Sequence, residues 1–345
     1  MSRLSALVAG ILSLGLLASP LTAEASQSHK KHTTRTATTS KAKASKAKVA
    51  AAPARKAKAS KVVISKRPQG GRVTRVSAQP STLPSALGAL RSPALYSSAA
   101  VVVNAISGER IYEKNSQAQA PIASITKLMT AIVTLDMHLP LDEPITITEE
   151  DVDTLKNSSS RLLVGTTLSR GEIMHLALMS SENRAAHALA RTAPGGKAAF
   201  VAKMNRTAQS LGMQNTRFED PTGLTSANVS TANDLIRLVQ AAHHYPEIRA
   251  YSTSEEYSFI SSVNGRGYTF HNTNPLVKNV AWEIGVSKTG YISEAGKCLV
   301  MQATINETPV VIVLLDSAGK LTRIGDAQRI KKWLETSPGA MLHAG

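Results

Sequence analysis

Three short apolar runs near the C-terminus decide the fold: Glu283-Ile284-Gly285-Val286-Ser287-Lys288-Thr289, Lys297-Cys298-Leu299-Val300-Met301-Gln302-Ala303-Thr304-Ile305 and Pro309-Val310-Val311-Ile312-Val313-Leu314-Leu315. They are rich in β-branched residues, and Gly290–Gly296 and Asn306–Thr308 separate them. They read as three consecutive strands. A hairpin reads out at the other end of the domain. Ala99–Asn104 is apolar and β-branched, Ser107-Gly108-Glu109 turns, and Arg110–Lys114 resumes. Between these ends the pattern is helical. From Ser124 onward, Leu128, Ala131, Ile132 and Leu135 recur at three- and four-residue spacing. Gly171–Arg191, with a break near Ser180-Ser181, Asn205–Leu211, Ala232–His243 and Ala327–Leu334 are further helical regions. The expected fold class is α+β: an antiparallel five-stranded sheet flanked by helices, with a helical subdomain. Periodicity alone does not fix the pairing of the hairpin with the three C-terminal strands.

Outside this domain the composition changes. The chain has 345 residues and a net charge of +16. Residues 26–76 hold 15 Lys and Arg with no Asp or Glu, whereas residues 77–345 hold 24 basic against 23 acidic residues. Nearly all the charge therefore belongs to one segment, which argues against a wholly basic nucleic-acid-binding fold. That segment is low-complexity, with near-repeats Lys41-Ala42-Lys43-Ala44-Ser45 and Lys56-Ala57-Lys58-Ala59-Ser60. It reads as a disordered tether over 26–94, with a short helix near Leu83–Leu90. Ahead of it, Arg3, the apolar run Leu4 to Leu17 and Ala23-Glu24-Ala25 read as a signal peptide, 1–25, cut after Ala25. The apolar run is shorter than the roughly 20 residues a membrane span needs. The domain then covers 95–335, and 336–345 is a tail. Cys298 is the only cysteine, so no internal disulfide forms, and a buried, inert thiol is expected.

There is no Gly-rich phosphate loop, no His-Glu-x-x-His and no paired Cys, so no metal and no cofactor is expected. Ser-x-x-Lys carries more chemistry. Three residues apart on a helix, a lysine lies one turn from the serine on the same side. A neutral amine there can take the serine proton, provided the site lowers a lysine pKa that is ordinarily about 10.4. The pattern occurs at Ser28, Ser40, Ser45, Ser124 and Ser317. Only Ser124-Ile125-Thr126-Lys127 opens an apolar-periodic helix. Ser181-Glu182-Asn183 and Lys288-Thr289-Gly290 are two further polar groupings. Taken singly, the three are better read as ordinary features: a helix N-cap serine, a solvated polar turn and a strand-end turn, respectively.

Together, in the order Ser-x-x-Lys, Ser-x-Asn, Lys-Thr-Gly, they resemble the penicillin-recognising superfamily of serine transpeptidases, carboxypeptidases and β-lactamases. Ser124–Lys127, Ser181-Glu-Asn-Arg-Ala-Ala186, Phe218-Glu-Asp-Pro-Thr-Gly-Leu224, His271-Asn-Thr-Asn274 and Lys288–Cys298 are similar to low-molecular-mass D-alanyl-D-alanine peptidases. Within these, they are most similar to the endopeptidase branch, of penicillin-binding protein 7 type. The resemblance covers about residues 95–335. It implies a β-lactamase/transpeptidase-like fold and a serine D,D-endopeptidase acting on peptidoglycan, with β-lactams as covalent inhibitors.

The resemblance also implies roles. Ser124 would be the nucleophile and Lys127 its general base. Ser181 would relay a proton to the leaving amine. Asn183 would hold substrate and Lys127. Lys288 would lower the Lys127 pKa and steer a carboxylate, which Thr289 would bond. Gly290 gives the permissive turn, and the N–H groups of Ser124 and Tyr291 would form an oxyanion hole. Glu182 stands where many carboxypeptidase relatives have Gly; an effect of its charge on substrate choice and a solvent-facing side chain are its two readings, and the second is the expectation. With 55 residues after Gly290, two strands and a helix are expected there, without the extra β domain and anchoring helix of several such relatives.

Other readings stay open on sequence. A carboxypeptidase would share every motif. A β-lactamase would need a Glu-x-x-Leu-Asn loop, and none lies between Ser181 and Lys288. An inactive, polyanion-binding protein would use residues 26–76. Export disfavours nucleic acid as the partner of that segment. Weak electrostatic contact with anionic membrane lipid or wall carboxylates, or a plain solvated spacer, are its two readings.

Overall fold

Ala99–Asn104 (β1) is buried at all six positions, as an interior strand with both faces covered must be. Arg110–Lys114 (β2) is the exposed edge beside it. The Asn104 side chain closes the connection by accepting from the N–H groups of Ile106 and Ser107 at 2.8 and 3.1 Å. The computed structural model describes residues 92–337. The signal peptide, nearly all of the tether with the helix expected near Leu83–Leu90, and the tail beyond 337 lie outside the described residues.

After the hairpin come helices α1 (Thr126–Asp136), α2 (Arg170–Met179), α3 (Asn183–Arg191), α4 (Gly196–Ser210), α5 (Ala232–His243) and α6 (Pro246–Thr253). The chain then returns as β3 (Glu283–Ile292), β4 (Gly296–Ile305) and β5 (Thr308–Ser317), and ends in α7 (Thr322–Thr336). The five strands form one antiparallel sheet in the order β2-β1-β5-β4-β3. The N-terminal hairpin does pair with the C-terminal strands, from Ala99 opposite Leu315 to Asn104 opposite Val310.

Alternation along the strands divides the core. Val101, Val103, Val300, Val311, Val313 and Leu315 face α1 to α5. Ala100, Val102, Leu299, Met301, Ile312 and Leu314 face Ile324, Ala327, Ile330 and Leu334 of α7. Each buried Val, Leu, Ile or Met side chain among these contributes about 1.5–3 kcal/mol. Asp326 of α7 is buried and fastens the start of the domain. It accepts from Ser97 N at 2.7 Å and Ser97 Oγ at 2.6 Å, and from Tyr96 N at 3.1 Å.

The long helical region expected over Gly171–Arg191 is two helices. A capping box starts α2: Glu172 N donates to Ser169 Oγ at 3.2 Å, and Ser169 N donates to Glu172 at 2.7 Å. Ser180, Ser181 and Glu182 break the chain between α2 and α3. The helices expected at Asn205–Leu211 and Ala327–Leu334 are longer, Gly196–Ser210 and Thr322–Thr336. Among the described residues, no helix is long and apolar enough to cross a membrane.

Candidate active site

Ser124 lies in a 3-10 turn, Ala123–Ile125, that runs directly into α1. Ala123 adopts φ +48, a left-handed conformation that costs a residue with a Cβ of order 1 kcal/mol or more. Two glycines hold this turn in place. A Cβ on Gly223, itself at φ +83, would fall 1.9 Å from the Ala123 carbonyl oxygen and 2.8 Å from Ser124 N. A Cβ on Gly290 would fall 2.9 Å from the Ile122 oxygen and 3.2 Å from Ser124 N. Only glycine lets the end of β3 come this close, so the Gly290–Tyr291 peptide lies beside the Ser124 amide.

Lys127 is one turn further along and fully buried. Its Nζ lies 2.9 Å from Ser124 Oγ, 2.8 Å from Asn183 Oδ1 and 2.7 Å from the Thr222 carbonyl. Burial lowers its pKa to about 7, against the opposing pull of Asp220, Glu182 and Asp153. Burial is the main cause of this shift, and the Lys127 and Lys288 charges repel one another.

The second wall is the break between α2 and α3. Ser181 sits there at φ +64, and its Oγ accepts from Lys288 Nζ at 2.9 Å. Asn183 opens α3 and donates through Nδ2 to Ser158 Oγ at 2.9 Å. Glu182 is half-buried and accepts from Ser160 Oγ at 2.6 Å. Burial raises its carboxyl above the ordinary range, opposed by the Ser160 bond and nearby cations. The expectation that it faces solvent is thus corrected.

The third wall is the end of β3. Lys288 is buried and also donates to the Thr289 carbonyl at 2.9 Å. Its pKa is pushed well down by burial first, then by the charges of Lys127 and Arg323. Thr289 Oγ1 lies 2.7 Å from Thr273 Oγ1. Tyr291 projects its ring outward, 57% exposed, with Lys297 Nζ 4.3 Å from the ring centre. Beside Asn183 and Thr222 opens a cleft of about 330 Å³, lined also by Asp153, Leu155, Glu219 and Asp220.

Ser124, Lys127, Asn183, Ser181, Lys288, Thr289, Gly290 and Tyr291 thus share one region, although 57 and 107 residues separate the three serine and lysine motifs in sequence. Sequence reasoning assigned no role to several groups at the site: the Thr222 carbonyl, Ser158, Ser160, Thr273 and Arg323. The Thr222 carbonyl is aimed by Asp220, whose Oδ1 accepts from the N–H groups of Thr222 and Gly223 at 2.7 and 2.6 Å. Asn228 anchors that loop, accepting from Glu219 N at 2.7 Å and donating to Thr126 Oγ1 at 3.0 Å. The Asp-Pro-Thr-Gly text at 220–223 was the available signal for so tight a turn. Arg323 has Nε and Nη1 buried without a partner.

A serine with a buried neutral-range lysine at its hydroxyl, walled by a second serine-lysine pair on an α+β sheet edge, defines a serine acyl-transfer enzyme with a transpeptidase-like fold. The comparisons make this particular. A model of the peptidase S11 family, D-alanyl-D-alanine carboxypeptidase, matches residues 88–319, and the chain belongs to that family of serine D-Ala-D-Ala peptidases. It is 47% identical over 263 residues to the D-alanyl-D-alanine endopeptidase of Pseudomonas aeruginosa, covering 76% of this chain and 84% of that one. It is 45% identical over 246 residues to the D-alanyl-D-alanine endopeptidase of Escherichia coli, covering 71% and 79%. The Streptomyces K15 DD-transpeptidase superposes with a TM-score of 0.65 at 28% identity, over 70% of this chain and 97% of that one. Penicillin-binding protein D2 of Listeria monocytogenes, in an ampicillin-bound form, gives 0.59 at 28% identity, over 70% and 97%.

Proposed function

We propose that this chain is a periplasmic serine D,D-endopeptidase that hydrolyses D-alanyl cross-links in peptidoglycan through an acyl-enzyme on Ser124. The observation that carries the chemistry is the environment of Lys127. A neutral amine has two N–H groups and one lone pair. Asn183 Oδ1 and the Thr222 carbonyl accept the two N–H groups, which leaves the lone pair for the Ser124 hydroxyl at 2.9 Å. With a pKa of about 7, much of the amine is neutral near pH 7.

Lys127 takes the Ser124 proton as Oγ attacks the D-alanyl carbonyl carbon. The carbonyl oxygen becomes an oxyanion between the Ser124 and Tyr291 N–H groups, a donor there being worth about 2.7–4 kcal/mol. The C–N bond breaks as the proton held by Lys127 passes to the leaving amine by way of Ser181, which is bonded to Lys288 and takes up one proton as it gives one, so Lys127 returns to its neutral form. Water then attacks the acyl carbon, Lys127 accepts its proton, and Ser124 Oγ leaves and takes that proton back from Lys127. Lys288 and Thr289 hold a substrate carboxylate. A β-lactam, whose amide opens at the same serine, acylates the enzyme in the same way.

The endopeptidase names of the Pseudomonas and Escherichia relatives favour cross-link cleavage. The family description, carboxypeptidase, makes trimming of a terminal D-Ala the second reading. Ser124→Ala should abolish covalent labelling by fluorescent penicillin with the circular dichroism spectrum unchanged; labelling that persists overturns the assignment. Mass analysis of digested peptidoglycan separates the two peptidase readings. Conversion of cross-linked dimers to monomers supports the endopeptidase, and loss of only one terminal alanine supports the carboxypeptidase.

Cleavage after Ala25 would deliver the enzyme to the compartment where its polymer lies. The basic segment 26–76 then gives weak, salt-screened holding to anionic lipid or wall carboxylates. A chain starting near Ser77 should sediment less with purified wall in low salt than the full mature chain; equal sedimentation overturns the holding role.

A further inference from the structure

One loop at the cleft takes no part in that chemistry. It runs from the 3-10 turn Glu149–Asp151 to the short strand Thr167–Ser169. It is fastened to the Ser-x-Asn wall by Asn183 on Ser158, by Ser160 on Glu182, and by Arg184 Nη1, which donates to the Leu162 carbonyl at 2.9 Å. Asp153 stiffens it by accepting from the N–H groups of Leu155 and Ser158 at 2.9 and 2.8 Å. Midway along the loop, Lys156 reaches across to the opposite wall. Its Nζ lies 2.5 Å from Oε1 of Glu294, in the turn between β3 and β4.

The two walls therefore touch at two places along the β3 side. One is Lys288 on Ser181, buried and within the catalytic set. The other is Glu294 on Lys156, six residues further on, with the side chains 42% and 33% exposed. Gly290, which packs on the Ser124 turn, lies between them in the chain. Of the two bridges between the walls, the one at Lys288 is buried and locked, and the one at Lys156 is exposed and unlocked. The bond from Lys156 is the first cause holding the Glu294 carboxyl below its ordinary range. Exposed apolar groups flank the unlocked end, Leu155 on one wall and Tyr291 on the other.

We propose that Lys156 and Glu294 are a specificity-determining clasp on the peptidase cleft. Closed, the pair bounds the Tyr291 end and admits small acyl groups; open, it admits the branched stem of a cross-linked peptide. The inference rests on the peptidase reading above. An exposed pair is weak and screened by salt, which suits a boundary that must open in each turnover. Neither residue contacts Ser124, Lys127, Ser181 or Lys288 through a hydrogen bond.

The test compares the mature enzyme with Lys156→Ala, Glu294→Ala and the charge-swapped Lys156→Glu/Glu294→Lys. Two rates are read in low salt: kcat/KM on purified cross-linked muropeptide dimers, and the second-order acylation rate by fluorescent penicillin. Each single variant should raise the dimer rate by up to about fivefold, the most an exposed pair's attraction is worth as a population shift. Penicillin acylation should stay constant, the swap should restore the wild-type dimer rate, and about 1 M salt should erase the difference between wild type and single variants. Dimer rates that are unchanged or lower in both single variants overturn the clasp, as does a swap that behaves like the single variants. Loss of penicillin acylation in the single variants also overturns it, because the pair would then be holding the reactive groups. Wild-type acylation by penicillin tests the underlying peptidase reading separately.

Discussion

Acylation of Ser124 should switch on with the deprotonation of Lys127. Only the neutral amine has a lone pair for the Ser124 proton, so the rate follows the neutral fraction. With the pKa at about 7, that fraction is about one-tenth at pH 6 and about nine-tenths at pH 8. The second-order rate of acylation should therefore rise about tenfold between these values and then level off. An ordinary lysine, at about 10.4, would be neutral in only about one molecule in 2,500 at pH 7, and the rate would still climb about tenfold per pH unit at pH 9. The assay is fluorescent-penicillin acylation below saturation, which reports groups on the free enzyme. Glu182→Gln supplies the sign check. The Glu182 carboxylate acts to raise the Lys127 pKa, so removing its charge should move the rise to lower pH. A midpoint above pH 9, a rate flat from pH 5.5 to 9, or an upward move in Glu182→Gln would each refute the reasoning.

Gly223→Ala should cut acylation by about a hundredfold or more, because its Cβ would meet the Ala123 carbonyl at 1.9 Å and displace the nucleophile turn. Gly108→Ala is the control: φ is +74 with nothing within 4 Å, so denaturation should show a cost of about 1–2 kcal/mol with acylation unchanged. Asp326→Ala should destabilise the domain by about 2–4 kcal/mol in urea melts, since it orphans the buried donors of Ser97 that Asp326 now satisfies. The Cys298 thiol is pushed up to about 11 by burial. Native protein should resist iodoacetamide at pH 8 and react once denatured, and Cys298→Ala should leave acylation unchanged.

The sheet was legible because its central strands are apolar on both faces, and such runs stand out without any knowledge of their partners. Val310–Leu315 and Ala99–Val103 are the clearest cases. The hairpin Glu256–Ile260 and Gly267–His271 escaped. Its alternation rests on Tyr257, Phe259, Tyr268 and Phe270, and the intervening Ser, Thr and Glu read as loop. Helix α6 escaped because eight mixed residues are too few for a period to declare itself. At the site, the three-residue spacing of Ser124 and Lys127 was itself a distance statement, about one helical turn. The contacts of Thr222, Ser158 and Thr273 were not legible. A carbonyl or a hydroxyl that any residue of its kind could offer leaves no mark in the sequence until the fold brings it within reach. The same limit explains Glu182, whose half-burial depends on a serine 22 residues earlier in the chain.

The two lysines set conflicting demands on the cleft. In the proposed mechanism Lys127 serves as a base near pH 7 only because it is shut away from water, and Lys288 is buried as well. Removing that burial would return either amine towards its ordinary range and silence the serine. A cross-linked wall peptide, however, is a bulky substrate that needs an open mouth. The structure separates the demands in space. The amines are covered from below and from the sides by α1, by the Asp220–Gly223 turn and by β3, elements held by the core. The outer boundary is left to a loop fastened by two hydroxyls, by Arg184 on the Leu162 carbonyl and by one exposed ion pair. Parting the Lys156–Glu294 pair breaks no hydrogen bond to either lysine, so entry of a large substrate and maintenance of a low lysine pKa need not compete. Rate differences between large and small substrates should therefore respond to changes at Lys156 and Glu294, while the pH midpoint of acylation should respond to changes at Glu182, and the two sets of substitutions should be additive.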